Sequence, residues 1–169
     1  MNIETVDNGH RKFLKGRAFL HNDLLGQFFP SSLQLRSETD ATDFTFLTKR
    51  TQGTFCFIMS STCSYCNYHP IESFVRHFPD FDYMLLLEGH QSFLEEVIDK
   101  NNFRFPIYSC NIVTINHSLR GIGVPWVLVL NGCGQIIGTG AFNTTMQIQM
   151  IAQPLIRTFY ASREILDDI

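Results

Sequence analysis

The sharpest pattern of apolar positions begins at Thr54. Residues 54–60, TFCFIMS, form a near-continuous apolar run of strand length, which predicts a strand buried on both faces. Ser60, Ser61 and Thr62 then read as helix-entry residues, and Ile71, Phe74, Val75 and Phe78 stand at core spacing. Together they predict a helix over 63–77, kinked at Pro70. A second buried strand is expected over 81–87, ended by Glu88-Gly89, followed by an amphipathic helix over 92–101 with Phe93, Leu94, Val97 and Ile98 on one face. Residues 105–108 suggest a short strand, with irregular chain from there to Gly123. Trp126–Leu130 is the third strong strand, and Asn131-Gly132-Cys133-Gly134 is a hairpin turn rich in residues that accept positive φ. Residues 135–140 return antiparallel, and 145–162 make a closing helix that Pro154 should kink or break.

Before Thr54 the pattern is weaker. Residues 16–30 carry apolar pairs broken by Gly26 and Pro30 and suggest a short strand or hairpin; 31–42 are polar and read as a surface loop. Phe44, Phe46 and Leu47 fit one helical turn or a short strand beneath the core. The order strand, helix, strand, helix, hairpin, helix implies a parallel βαβ unit extended by antiparallel strands. The expected fold class is therefore α/β, a three-layer α/β/α arrangement around a mixed central sheet, with all of 1–169 in one domain.

Composition narrows the function. Hydrophobic residues make up 44% of the 169 and charged ones 17%, enough for a sizeable core in which most of the 16 Phe should lie. A net charge of -3 leaves no basic footprint, so nucleic acid is not an expected partner. No apolar run reaches the roughly 18 residues of a membrane span. The N-terminus, residues 1–14, is polar and lacks the apolar centre of a secretory signal. As the sequence stands this points to the cytoplasm; removal of an N-terminal anchor would make the location extracytoplasmic.

Five cysteines are too few for a disulfide scaffold, and only Cys63 and Cys66 are close in sequence. A Cys-x-x-Cys between a buried strand and a helix start suits redox exchange, because the unpaired N–H groups of a helix N-terminus stabilise a thiolate. On that reading Cys63 is the exposed nucleophile and Cys66 the more buried resolving thiol, and the chemistry calls for no cofactor and no metal. A zinc knuckle is the alternative use of such a pair, but His69, His77, Cys110 and Cys133 fall into no common zinc spacing.

Residues 54–142 resemble the thioredoxin-like thiol–disulfide oxidoreductases, and within them the TlpA/ResA-type branch. The resemblance rests on the strand leading into Cys63-Ser64-Tyr65-Cys66, on Gly123-Val124-Pro125 before the next strand, and on the turn 131–134. It implies a thioredoxin-like fold, with residues 1–50 as an N-terminal extension. It also implies that Pro125 is a cis-proline facing the dithiol and that the backbone of Val124 pairs with an extended substrate segment. Ser64 and Tyr65 would tune the couple and border the substrate. The implied activity is electron exchange with protein or peptide disulfides through a mixed disulfide, sustained by an upstream redox partner. This chain departs from the branch at Pro70, which follows Cys66 by four residues rather than five, and at His69, which stands where an acid is usual. His69 becomes the candidate for proton handling, against the plainer reading of a surface histidine.

Two other functions fit parts of the sequence. One is a redox-inactive peptide-binding scaffold that keeps the groove near Pro125. The other is a thiol peroxidase, although Cys56 and Ser60 stand where that chemistry places Pro and Thr. Cys56 reads as a small core residue, Cys133 as an exposed turn thiol, Trp126 as core or groove wall, and Tyr68 as flanking the dithiol or covering the helix.

Overall fold

The computed structural model describes residues 23–167, with side chains as far as Tyr160. Residues 16–22 of the expected hairpin and the polar N-terminus 1–14 lie outside the described residues. The elements run β1 (Ser32–Leu33), β2 (Thr42–Asp43), a short 3-10 helix (Thr45–Lys49), β3 (Thr54–Ser60), α1 (His69–His77), β4 (Asp82–Glu88) and α2 (Gln91–Asn101). After these come β5 (Ile107–Cys110), α3 (Ile112–Asn116), β6 (Trp126–Leu130), β7 (Ile136–Ala141) and α4 (Thr145–Asp167).

The main sheet has the order β5-β4-β3-β6-β7. β3 is central, parallel to β4 (Thr54 opposite Asp82) and antiparallel to β6 (Thr54 opposite Leu130), and all seven of its residues are buried. The sheet is therefore mixed, as the strand and hairpin order implies. Because side chains alternate across a strand, β3 feeds two cores. Phe55, Phe57 and Met59 point to the face covered by α1, α2 and α4, where they meet Ile71, Phe74, Leu94, Val97 and Ile148. The rings there interlock at edge-on angles, with centroids 4.9 Å apart for Phe55–Phe74 and 5.7 Å for Phe57–Phe142. Such geometry adds about 0.5–1.5 kcal/mol per pair beyond burial.

Cys56 and Ile58 point the other way, and that face is covered largely by the N-terminal segment. Leu24, Phe29, Leu33, Leu35, Phe44 and Leu47 pack there with Ile115 of α3 and with Trp126 and Leu128 of β6. Residues 24–47 of the N-terminal extension thus supply much of one of the three layers. The loop expected over 31–42 is corrected to a small antiparallel ladder in which Leu33 is fully buried. The segment is also fastened to β7: Gly26 N–H donates to Ile136 O (2.8 Å), Ile136 N–H to Gln27 O (2.8 Å) and Phe29 N–H to Gly134 O (2.9 Å).

Three further expectations change. The irregular stretch before Gly123 contains α3, capped by the Asn111 side chain accepting from Thr114 N–H at 2.9 Å. The closing helix runs through Pro154 to Asp167 without ending there. The helix expected over 63–77 begins only at His69: the Asn67 side chain accepts the His69 N–H at 3.0 Å, and Pro70 stands in the first turn. Proline is favoured there because its missing N–H would have no helical partner. Pro70 therefore starts the helix rather than kinking it.

Candidate functional site

The segment between β3 and α1 folds as two consecutive turns. Cys63 N–H donates to Ser60 O and Cys66 N–H donates to Cys63 O, both at 3.2 Å. The turns bring the two thiols together at the end of the sheet, with both cysteines half-buried. Ser64 and Tyr65 form the outward tip, and Tyr65 is 76% exposed. The helix N-terminus lies beyond Asn67, at His69, three residues after Cys66.

The two sulfurs sit in different surroundings. Cys66 packs against the aromatic core beneath α1. Burial first, and the Cys63 thiol beside it second, push its thiol up to about 12, which a Ser60 backbone hydrogen bond offsets only in part. Cys66 therefore stays protonated at neutral pH. Cys63 donates from Sγ to Val124 O at 3.7 Å. The Val124–Pro125 peptide bond is cis. Val124 is half-buried, and Pro125 is buried as β6 begins.

His69 lies on the exposed surface of α1, its Nδ1 3.9 Å from Glu72 Oε2. Its side chain and Cys66 line one cavity of about 380 Å³, together with Tyr68, Phe93, Val97 and Lys100. Tyr68 is half-buried, stacked obliquely on Phe103 with centroids 6.3 Å apart, and its hydroxyl is buried without a hydrogen-bond partner. Burial, and then the Cys66 and Cys63 thiols, raise its phenol above the usual range, so it remains a donor. Trp126 is core, and its Nε1–H donates to Thr139 Oγ1 at 2.9 Å.

The other cysteines stand apart from the pair. Cys56 is wholly buried in mid-strand, and burial raises its thiol well above the ordinary value. Cys110 is also buried, and its thiol is pushed up to about 12 by burial and then by the Glu88 carboxylate, with Arg36 opposing. Cys133 is exposed in the β6–β7 turn, its Sγ donating to Asn131 Oδ1 at 3.0 Å. Among the described residues, no group of three or more His, Cys, Asp or Glu is placed to hold a metal ion. None of the described helices is long and apolar enough to cross a membrane.

One group beside the site escaped the sequence reading. Glu88, read only as the end of β4, accepts from Ser60 Oγ at 2.7 Å and from Ile112 N–H at 2.9 Å. The available signal was an acid closing an otherwise apolar strand; its partners lie 28 and 24 residues away.

A mixed five-stranded sheet carrying a dithiol on the turn after its central strand, opposite a cis-proline, defines a thioredoxin-like fold. Solved structures share it. The putative thiol:disulfide interchange protein DsbE from Chlorobium tepidum superposes with a TM-score of 0.63 over 80% of this chain and 97% of its own, at 10% identity. StoA from Bacillus subtilis gives 0.51 over 76% and 98%, at 19% identity. A secreted Mycobacterium tuberculosis disulfide oxidoreductase homologous to DsbE gives 0.53 over 73% and 94%, at 10% identity. No family model and no curated protein matches the chain. At these identities the likeness is one of fold.

Proposed function

We propose that the chain is a thiol–disulfide oxidoreductase that exchanges electrons with protein or peptide disulfides through Cys63 and Cys66. The observation that carries the reading is the pairing of Cys63 Sγ with the Val124 carbonyl, 3.7 Å away, immediately before cis Pro125. A substrate segment lying along Val124 brings its own sulfur to Cys63. The names of the structurally similar proteins, which include thiol:disulfide interchange proteins, support the same reading.

The exchange runs in two displacements. Cys63 thiolate attacks one substrate sulfur; the mixed disulfide forms, the substrate S–S bond breaks, and a substrate thiolate departs. Cys66 then gives up its proton, to that thiolate or to water, and attacks Cys63 Sγ. The Cys63–Cys66 disulfide forms and the second substrate thiol leaves. In this direction two electrons pass from dithiol to substrate; with an oxidised Cys63–Cys66 pair the same displacements run in reverse, and in either case a redox partner resets the couple. Val124 and Pro125 hold the substrate backbone, Ser64 and Tyr65 border it, and His69 at the cavity rim handles protons.

The test is equilibration in glutathione buffers of graded potential, acid quenching and thiol alkylation, alongside Cys63→Ser. A reversible two-electron transition lost in Cys63→Ser is the expected result. Its midpoint, set against a span of about −270 to −120 mV for such couples, tells reductant from oxidant. The absence of any Cys63–Cys66 transition would sink the reading.

A further inference from the structure

A chain of hydrogen bonds leaves Cys63 through its backbone and returns to it through its sulfur. Cys63 N–H donates to Ser60 O at 3.2 Å. Ser60, 2% exposed, donates from Oγ to Glu88 Oε2 at 2.7 Å. The same Oγ receives the Thr62 N–H at 3.2 Å and lies 3.0 Å from Thr62 Oγ1, while Ser61 N–H reaches the Glu88 carbonyl at 2.8 Å. Every residue of the turn before Cys63 is therefore tied to Glu88, directly or through Ser60. The second carboxylate oxygen, Oε1, accepts Ile112 N–H at 2.9 Å at the start of α3. At the other end of α3, Asn116 grips Ile122 twice, Nδ2 donating to Ile122 O and Oδ1 accepting Ile122 N–H, both at 3.2 Å. Two residues on, Val124 O accepts from Cys63 Sγ at 3.7 Å.

We propose that Glu88 and Asn116 are positioning residues for the exchange reaction, closing a hydrogen-bonded circuit that holds Cys63 against the carbonyl of Val124. The proposal rests on the thiol–disulfide reading given above. Its physical basis is that Cys63 and Val124 lie on loops 61 residues apart in sequence, and neither loop is part of a helix or strand that would fix it. A carboxylate suits the junction because it accepts from two donors at once, and bonds to an ionised acceptor are short and strong. Asn111 caps α3 at Thr114, and Glu88 takes a different free N–H of the same helix start, that of Ile112, which ties the helix to β4. Glu88 also lies near Cys110, whose thiol is pushed up by burial first and by this carboxylate second.

The role predicts a separation of kinetic effects. Loosening the circuit displaces the substrate-pairing backbone relative to the attacking sulfur without altering either thiol. Glu88→Ala and Asn116→Ala, made in the full chain, are expected to raise KM for a disulfide-bonded peptide about tenfold while kcat stays within about twofold. Because both act on one circuit, the double variant should be no worse than either single one. Glu88→Gln should recover most of the loss, since its amide oxygen accepts from Ile112 while its N–H₂ donates to Ser60. In amide NMR spectra both alanine variants should move the resonances of Cys63 and of residues 122–124 together. Wild-type KM in both alanine variants would overturn the proposal, as would a lowered melting temperature with KM unchanged, which marks a purely structural role. If Glu88→Ala fails to fold, Asn116→Ala, remote from β4, carries the test. If the wild type lacks a Cys63–Cys66 couple, the exchange reading fails by itself; the circuit is then upheld or refuted by the amide shifts.

Discussion

Tyr68 stands two residues past Cys66 with its hydroxyl buried and unpartnered. A buried hydroxyl without a partner costs about 1–3 kcal/mol relative to water. Tyr68→Phe keeps the ring against Phe103 and removes the orphaned group, so urea unfolding should show a gain of about 1 kcal/mol. A loss of stability would mean that an ordered water satisfies the hydroxyl. At this scale the candidate site was legible where chemistry sits in local spacing: two thiols three positions apart after a buried strand, and a proline opening the next one. Glu88 was not legible, because what distinguishes it is its pair of donors, Ser60 and Ile112, brought near only by the sheet. The exposed placement of His69 beside Glu72 reflects the same limit, since spacing alone does not say which side of a helix start meets the thiols.

Among elements, the five strands of the main sheet were read to within about two residues because buried strands are continuous apolar runs, whereas the short β1 and β2 were not. The start of α1 was misplaced because Ser60, Ser61 and Thr62 resemble caps, whereas these residues form a turn fastened to Glu88, and the helix starts after Asn67, whose side chain accepts the His69 N–H. The turn 131–134 was legible, and the structure adds why its glycines are required. Gly134 has φ 79°, and a Cβ on Gly132 would meet Arg50 O at 2.5 Å. A close approach of the same kind joins α4 to β7. A Cβ on Gly138 would lie 2.4 Å from Ile151 O and 3.2 Å from the Val129 side chain. Backbone cannot yield as a flexible side chain does, so Gly138→Ala should destabilise the protein by about 1–3 kcal/mol in denaturant titration. A neutral effect would show that α4 slides along the sheet freely.

At the scale of the molecule, the two faces of the sheet are built from different material. Regular helices cover the aromatic face, and their periodicity showed in the sequence. The opposite face is covered mainly by irregular chain from Leu24 to Leu47, where burial follows no period and the pattern gave no warning. Both faces bury thiols that resist ionisation: Cys66 on one and Cys110 on the other are raised from the ordinary 9.0 to about 12. The unfolded chain releases these protons first as pH rises, so their contribution to stability is complete below about 9 and is lost as pH climbs toward 12. Alanine at Cys110 should flatten the alkaline limb of a stability–pH curve measured between pH 8 and 11. An unchanged limb would refute that assignment. The bonds from Gly26, Gln27 and Phe29 to Gly134 and Ile136 have a consequence of another kind. β7 is the rim of the sheet, and a bare rim is a template on which a foreign strand can add. The segment that roofs one core also closes part of that rim, so a protease cut before Thr45 would strip both at once. The remnant would carry an open apolar face beside an unpaired strand, the combination from which filaments nucleate.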